Sequence, residues 1–292
     1  MNILMCYELT AVSISLLVNS EKEMLSFQIA GIRLEIHGVQ DRWLPGSAWK
    51  CFLSEDGQKG HPDIVMRILD KCSVDYQVEK YFCPSQAAFQ QMFRFESDIL
   101  FTNQDWSVCV VLPISRPTGF QVLSNHLFYS RGIGCGMLQF HASLIDIQGR
   151  GVLFLGPSGV GKTTQAERWA HFRGADILNG DIVFVQRAET EFLGWGTPWH
   201  GSSPYCLNTS VPVKALVVLK QAPYNALREL AGFEKVREVA NHVFYPTWLD
   251  GGRELCTNIL DRLLTQVPVY RLDNKADREA VELLERELNR IS

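Results

Sequence analysis

The sequence predicts an α/β fold, on three observations. Gly151–Leu155 (GVLFL) and Val213–Leu219 (VKALVVL) are short, continuously apolar runs, the pattern of strands buried on both faces. Lys162–Phe172 and Glu254–Thr265 have helical texture, the second with Leu255, Ile259 and Leu263 on one face. Strands and helices then alternate along the chain, the order expected of an α/β domain.

Taken from the N-terminus, Leu9–Val18 is an apolar run that reads as a buried strand. It lacks a basic leading segment and is far short of the roughly 20 residues that span a bilayer. Met24 is an alternative start, because Phe27–Ile36 alternates like an opening strand. Glu55–Pro62 reads as a loop, Asp63–Cys72 as a helix and Ser107–Pro113 as a strand. The texture changes near residue 130, so an N-terminal α/β region of unknown role is expected over 1–128 and a second domain over 129–292. In that second domain Met137–Ile147 reads as a strand, Gln148-Gly149-Arg150 as a turn and Gly151–Leu155 as the next strand. Ile177-Leu178 and Ile182–Val185 flank an acidic position, Asp181. Val267–Leu272 is a further strand and Asp277–Ile291 a closing helix, with Asp273 or Asn274 expected near its cap.

Composition excludes several classes. The 292 residues carry a formal net charge of −4, with 46% apolar and 21% charged. That balance does not suit a general nucleic-acid binder, which presents a basic face. The eight cysteines form no C-x-x-C pair and no zinc-type spacing with histidine, which suits reduced thiols. A cytoplasmic protein with no membrane segment is the expectation.

One motif carries chemistry. Gly156-Pro157-Ser158-Gly159-Val160-Gly161-Lys162-Thr163 fits G-x-x-x-x-G-K-S/T at every defined position, and Thr164 follows. Glycines allow a tight turn in which successive N–H groups face one anion. The helix that follows adds its positive end. Lys162 supplies a mobile charge for the outer phosphates, and the Thr163 hydroxyl is the expected Mg²⁺ ligand. A strand before the loop and a helix after it are the context this motif requires. A phosphate loop also needs an acid to hold or orient the metal. Asp181, in ILNGDIVFV, is the candidate; the alternative is a turn aspartate after Asn179-Gly180.

The stretch His141–Thr164 (HASLIDIQGRGVLFLGPSGVGKTT) resembles the catalytic core of HPr kinase/phosphorylase. Arg173-Gly174 and Asp181 match that family's R-G and the second Asp of its Asp-Asp pair. Thr197–His200 (TPWH) and Val213–Leu219 resemble a divergent branch that includes peptide-serine kinases of the lasso-peptide type. The resemblance implies a fold shared with ATP-dependent phosphoenolpyruvate carboxykinase over about residues 130–292. It also implies ATP and Mg²⁺ as cofactors, and transfer of the γ-phosphoryl group to a peptide or protein serine, with a homo-oligomer open. His141 corresponds to the family's active-site histidine; the alternative is a strand histidine bonded to backbone. The sequence departs from the pattern at Gly180, where the family has its first Asp, the presumed base. Asp181 then does both jobs or another group, such as His200 in TPWHGSSP, supplies the base. The family's Arg-Gly-Leu-Gly signature has no counterpart, which argues against a phosphorylase activity. Ser143 and Asp146 alternate on the same strand and fit its exposed face, and Arg253 reads as a phosphate clamp or a surface arginine.

Two other readings stand beside the kinase. One is a non-catalytic ATP-binding regulatory module, motivated by the lost first Asp. The other is a GTPase, because Asn274-Lys275-Ala276-Asp277 spells N-K-x-D, although no D-x-x-G lies between it and the loop, and the stretch also reads as a helix cap with Asp277 entering EAVELLEREL.

Overall fold

Alternation of apolar and polar residues builds the first of two sheets. The computed structural model describes residues 24–38, 48–54, 61–68, 89–112 and 116–290. The chain divides between Arg131 and Gly132 into two compact units. In the first, β1 (Met24–Ile29), β2 (Ile32–His37), β3 (Ile64–Ile68), β4 (Gln91–Phe95), β5 (Asp98–Thr102) and β6 (Val108–Leu112) form a six-stranded sheet of order β1-β2-β3-β6-β5-β4. In β2, β3 and β5 every second residue is buried, so one face meets the core and the other is partly exposed. Helix α1 (Pro117–Gly134) belongs to a stretch for which the sequence suggested no element. Its Phe120 ring lies 5.0 Å from Trp49, which in turn lies 5.1 Å from Phe27 of β1. This aromatic chain ties helix to sheet.

Two expectations fail in this unit. Phe27–Ile36 is not one strand but a hairpin: Ile29 pairs with Ile32, and Ala30 and Gly31 turn with positive φ, the requirement of a tight two-residue turn. Within Asp63–Cys72, residues 64–68 form a strand instead of a helix. Ile64, Met66 and Ile68 are buried at period two, and β3 is hydrogen-bonded on both sides, to β2 and β6. Leu9–Val18 lies outside the described residues, as does most of Glu55–Pro62.

The second unit holds nine strands: β7 (Met137–Asp146), β8 (Gly151–Leu155), β9 (Asp176–Asn179), β10 (Ile182–Arg187), β11 (Phe192–Trp195), β12 (Ser210–Gln221), β13 (Ala226–Glu229), β14 (Val243–Phe244) and β15 (Val269–Asn274). Its helices are α2 (Lys162–Arg173), α3 (Gly232–Ala240), α4 (Gly252–Gln266) and α5 (Arg278–Leu288). The mixed α/β class is as expected. β8 and β15 flank β12 in parallel, and all five residues of β8 are buried. That is the covered-on-both-faces environment its apolar run implied. Trp169 of α2, Val281 and Leu284 of α5, and Phe154, Val217, Tyr270 and Leu272 of the sheet share one core.

β7 is the organising strand. Residues 137–141 pair with β10, and 139–140 also pair with β14 on the opposite edge. Residues 142–146 pair with β8, and 144–146 also pair with β9. The strand thus changes partners on both edges between Phe140 and Leu144. The cap of α5 is Asp277, as the helix-cap reading of the N-K-x-D stretch has it, and not Asp273 or Asn274; its side chain accepts from the Ala280 N–H. Asp273 is instead salt-bridged to Arg271 within β15. No helix among the described residues is long and apolar enough to cross a membrane.

Candidate functional site

The glycine-rich loop leaves the end of β8 and enters α2 at Lys162. Gly161 takes φ 107° as the residue before the helix, a conformation that a side chain would strain, and no side chain caps the helix. The N–H groups of the first turn are therefore available to an anion. Ideal Cβ atoms at Gly159 and Gly161 would meet no heavy atom within 4 Å, so the loop is open beside both.

Lys162 is buried, and its Nζ donates to the carbonyls of Gly156 at 3.0 Å and Pro157 at 3.3 Å. The ammonium thus folds across its own loop. Burial pushes its pKa below the ordinary value, and the charge of Asp181 draws it back up. The Thr163 hydroxyl donates to the Gly180 carbonyl at 3.4 Å, and the buried Ser143 hydroxyl donates to the same oxygen at 3.2 Å.

Asp181 stands next to that carbonyl. His141 Nε2 lies 3.0 Å from its Oδ1. The backbone makes this pairing: His141 is opposite Ile182 in the β7–β10 ladder, and the Ala142 N–H donates to the Asp181 carbonyl at 2.9 Å. The acid is aimed by Asn179. Its Oδ1 accepts from the N–H groups of Asp181 at 2.8 Å and Ile182 at 3.0 Å. Its Nδ2 donates to Thr197 and to the Trp199 carbonyl. Asn179 is fully buried and Thr197 is too. This side chain fastens the Asn-Gly turn to the segment that carries His200.

That segment closes over the acid. A Cβ at Gly201 would lie 2.1 Å from Asp181 Oδ2, and one at Gly180 would lie 1.9 Å from Ser203 Oγ. Both glycines are thus required by close approach. His200 Nδ1 contacts the Ser203 carbonyl, and the Ser203 N–H donates back to the His200 carbonyl at 3.0 Å. The imidazole therefore braces its own loop. His242, at the start of the chain into β14, accepts the His141 N–H on its carbonyl at 3.0 Å. Burial lowers the pKa of its imidazole, and the neighbouring Lys162 and His141 lower it further.

No family model matches the chain, and no curated protein matches it. Among solved structures, the HPr(Ser) kinase/phosphatase from Coxiella burnetii is a distant likeness. It is 14% identical, with a TM-score of 0.30, and the match covers 52% of this chain and 93% of that one.

The remaining residues singled out in the sequence lie in structural roles. Asp146 accepts from the Gly149 N–H at 2.7 Å and closes the turn after β7. Arg173 is held by Glu285 of α5 through contacts of 2.6 and 2.7 Å, and Gly174 is the left-handed C-cap of α2. Arg253 lies in the first turn of α4, beside a cavity of about 490 Å³ lined with Thr247, Leu249, Gly251 and Glu254. In the N-K-x-D stretch, Asn274 is buried and donates to the carbonyls of Lys220 and Leu272. Sequence reasoning missed Asn179, Gly201, Ser203 and His242. Only Asn179 left a signal, the Asn-Gly dipeptide, which marks a turn but not its burial. Among the described residues no three His, Cys, Asp or Glu side chains converge as a metal cluster, and Cys109 and Cys135 are free thiols.

Proposed function

We propose that this chain is an ATP- and Mg²⁺-dependent kinase that transfers the γ-phosphoryl group to a hydroxyl, a serine of a peptide or protein. The observation that carries the reading is the meeting of a glycine loop, the Lys162 ammonium and the Asp181 carboxylate at one helix start. The donor set fits the ligands. Backbone N–H groups of Gly159 and of Gly161 to Thr164 suit phosphate oxygens, while the Val160 N–H donates to the Pro157 carbonyl at 3.2 Å and closes the loop. The Thr163 hydroxyl and the Asp181 carboxylate are hard oxygen donors, which suit a small divalent cation held partly by water. Mg²⁺, when bound, would neutralise charge on the phosphates.

Phosphoryl transfer asks mainly for positioning and charge stabilisation. In this reading the loop amides, with the Ser158 and Val160 positions between the glycines, cradle the phosphates. Lys162 leaves its carbonyl partners and stabilises charge developing on the transferred group. Asp181 orients the acceptor hydroxyl and takes its proton, while His141 on its other oxygen fixes the carboxylate. His200 shapes the acceptor side through its loop.

The test is label transfer from [γ-³²P]ATP to a serine peptide. Lys162→Ala should lower turnover by about 10²–10³-fold, the usual loss for one donor at a developing charge. Asp181→Asn should also abolish transfer with little effect on melting, because its backbone bonds to Asn179 and Ala142 survive the change. Turnover within a few-fold of the parent in either variant would sink the assigned roles. Tight ATP binding with neither transfer nor hydrolysis in the parent would favour a regulatory module.

A further inference from the structure

We infer that Ser203 is a phosphoryl acceptor in this chain's own site, a reading that rests on the kinase proposal. The geometry is local and specific. The point where a Gly180 Cβ would stand is 1.9 Å from Ser203 Oγ and 3.8 Å from Thr163 Oγ1. The two hydroxyls therefore flank one small volume, and Thr163 is the residue next to Lys162 at the helix start. Gly201, two residues before Ser203, lies against Asp181 Oδ2, while Oδ1 of the same carboxylate faces His141. A serine hydroxyl thus stands beside Gly180, the residue before the proposed base, and near the Thr163 hydroxyl at the end of the loop. Gly180 permits this: any side chain there would displace Ser203. The space that an acid at position 180 would fill is held by a hydroxyl.

Ser203 is only 7% exposed. A separate kinase could not reach it in the folded chain, whereas a nucleotide on the loop beside it could. The His200–Ser203 turn, closed by the His200 imidazole on the Ser203 carbonyl and by the Ser203 N–H on the His200 carbonyl, presents the hydroxyl from a fixed loop. In the step, Ser203 Oγ attacks the γ-phosphorus of ATP and an O–P bond forms. The bond from that phosphorus to the β,γ-bridging oxygen breaks, the hydroxyl proton passes to the Asp181 carboxylate, and ADP leaves. The product is phosphoserine, whose doubly charged group would stand where an outside acceptor has to enter.

The experiment incubates the full chain with Mg²⁺ and [γ-³²P]ATP, follows label on the protein, and maps it by fragment mass spectrometry. ATP binding is measured in parallel by equilibrium dialysis. The expected result is one phosphate per chain at Ser203, at a first-order rate independent of protein concentration. Ser203→Ala should lose the label and keep ATP binding, and Ser202→Ala, which alters the neighbouring exposed hydroxyl, should keep both. A parent chain that binds ATP but gains no label, or gains it at another residue, overturns the inference and leaves the nucleotide site standing. A chain that binds no ATP overturns the kinase reading and this inference with it.

Discussion

Two stretches of this chain look like nucleotide chemistry in the sequence, Asn179-Gly180-Asp181 and Asn274-Lys275-Ala276-Asp277, and they share one local device. In each, the asparagine Oδ1 accepts from the N–H two residues on, at 2.8 Å to Asp181 and 2.9 Å to Ala276. Their aspartates then part ways. Asp277 is consumed by structure: it caps α5 at Ala280, accepts from Asn225 at 2.9 Å and pairs with Lys275. Asp181 is kept half-exposed between His141 and Gly201, with its charge acting on Lys162. An Asx turn aims an acid, and what the neighbouring strands bring to it decides whether it holds a helix or faces a ligand.

The largest expected effect comes from cutting the first of these turns. Asn179→Ala would leave the N–H groups of Asp181 and Ile182 and the Thr197 carbonyl without this partner, each worth about 1–3 kcal/mol. Chemical denaturation should show a loss of roughly 3 kcal/mol or more, with phosphoryl transfer gone, since Asp181 loses its aim. A variant that unfolds as the parent does would remove the Asn179 clamp from the argument. Asn274→Ala is the matched control. It should cost on the order of 1–2 kcal/mol and leave ATP binding and transfer unchanged; a specific loss of GTP or ATP affinity would restore the stretch as a base-binding motif. Smallest is Asp277→Ala, the loss of one N-cap, about 1 kcal/mol. It should lower Tm by roughly 2–4 °C in a unit of this size, again without a change in label transfer.

What the sequence disclosed follows the range of the forces involved. β8, α2 and β12 were legible because a continuous apolar run and a glycine loop are local patterns. Ile64–Ile68 misled because its apolar residues satisfy a helical face as well as a strand face, and pairing with β2 and β6 decided between them. The glycine-rich loop and Asp181 were readable as types of residue in order. The contacts of Asn179 with Thr197, and of Gly180 with Ser203, join residues about twenty positions apart, and only the fold creates them. His242 is a hundred residues from His141 and meets it only because β14 pairs with β7.

β7 passes between four neighbours and is tied on opposite edges at consecutive positions, His141 to His242 and Ala142 to Asp181. To shift the main chain under the acid, both seams would have to open together. The frame beneath Asp181 is therefore stiff, and accommodation of any incoming molecule falls to what rests on it, above all the Lys162 side chain, whose ammonium is held by carbonyls of its own loop.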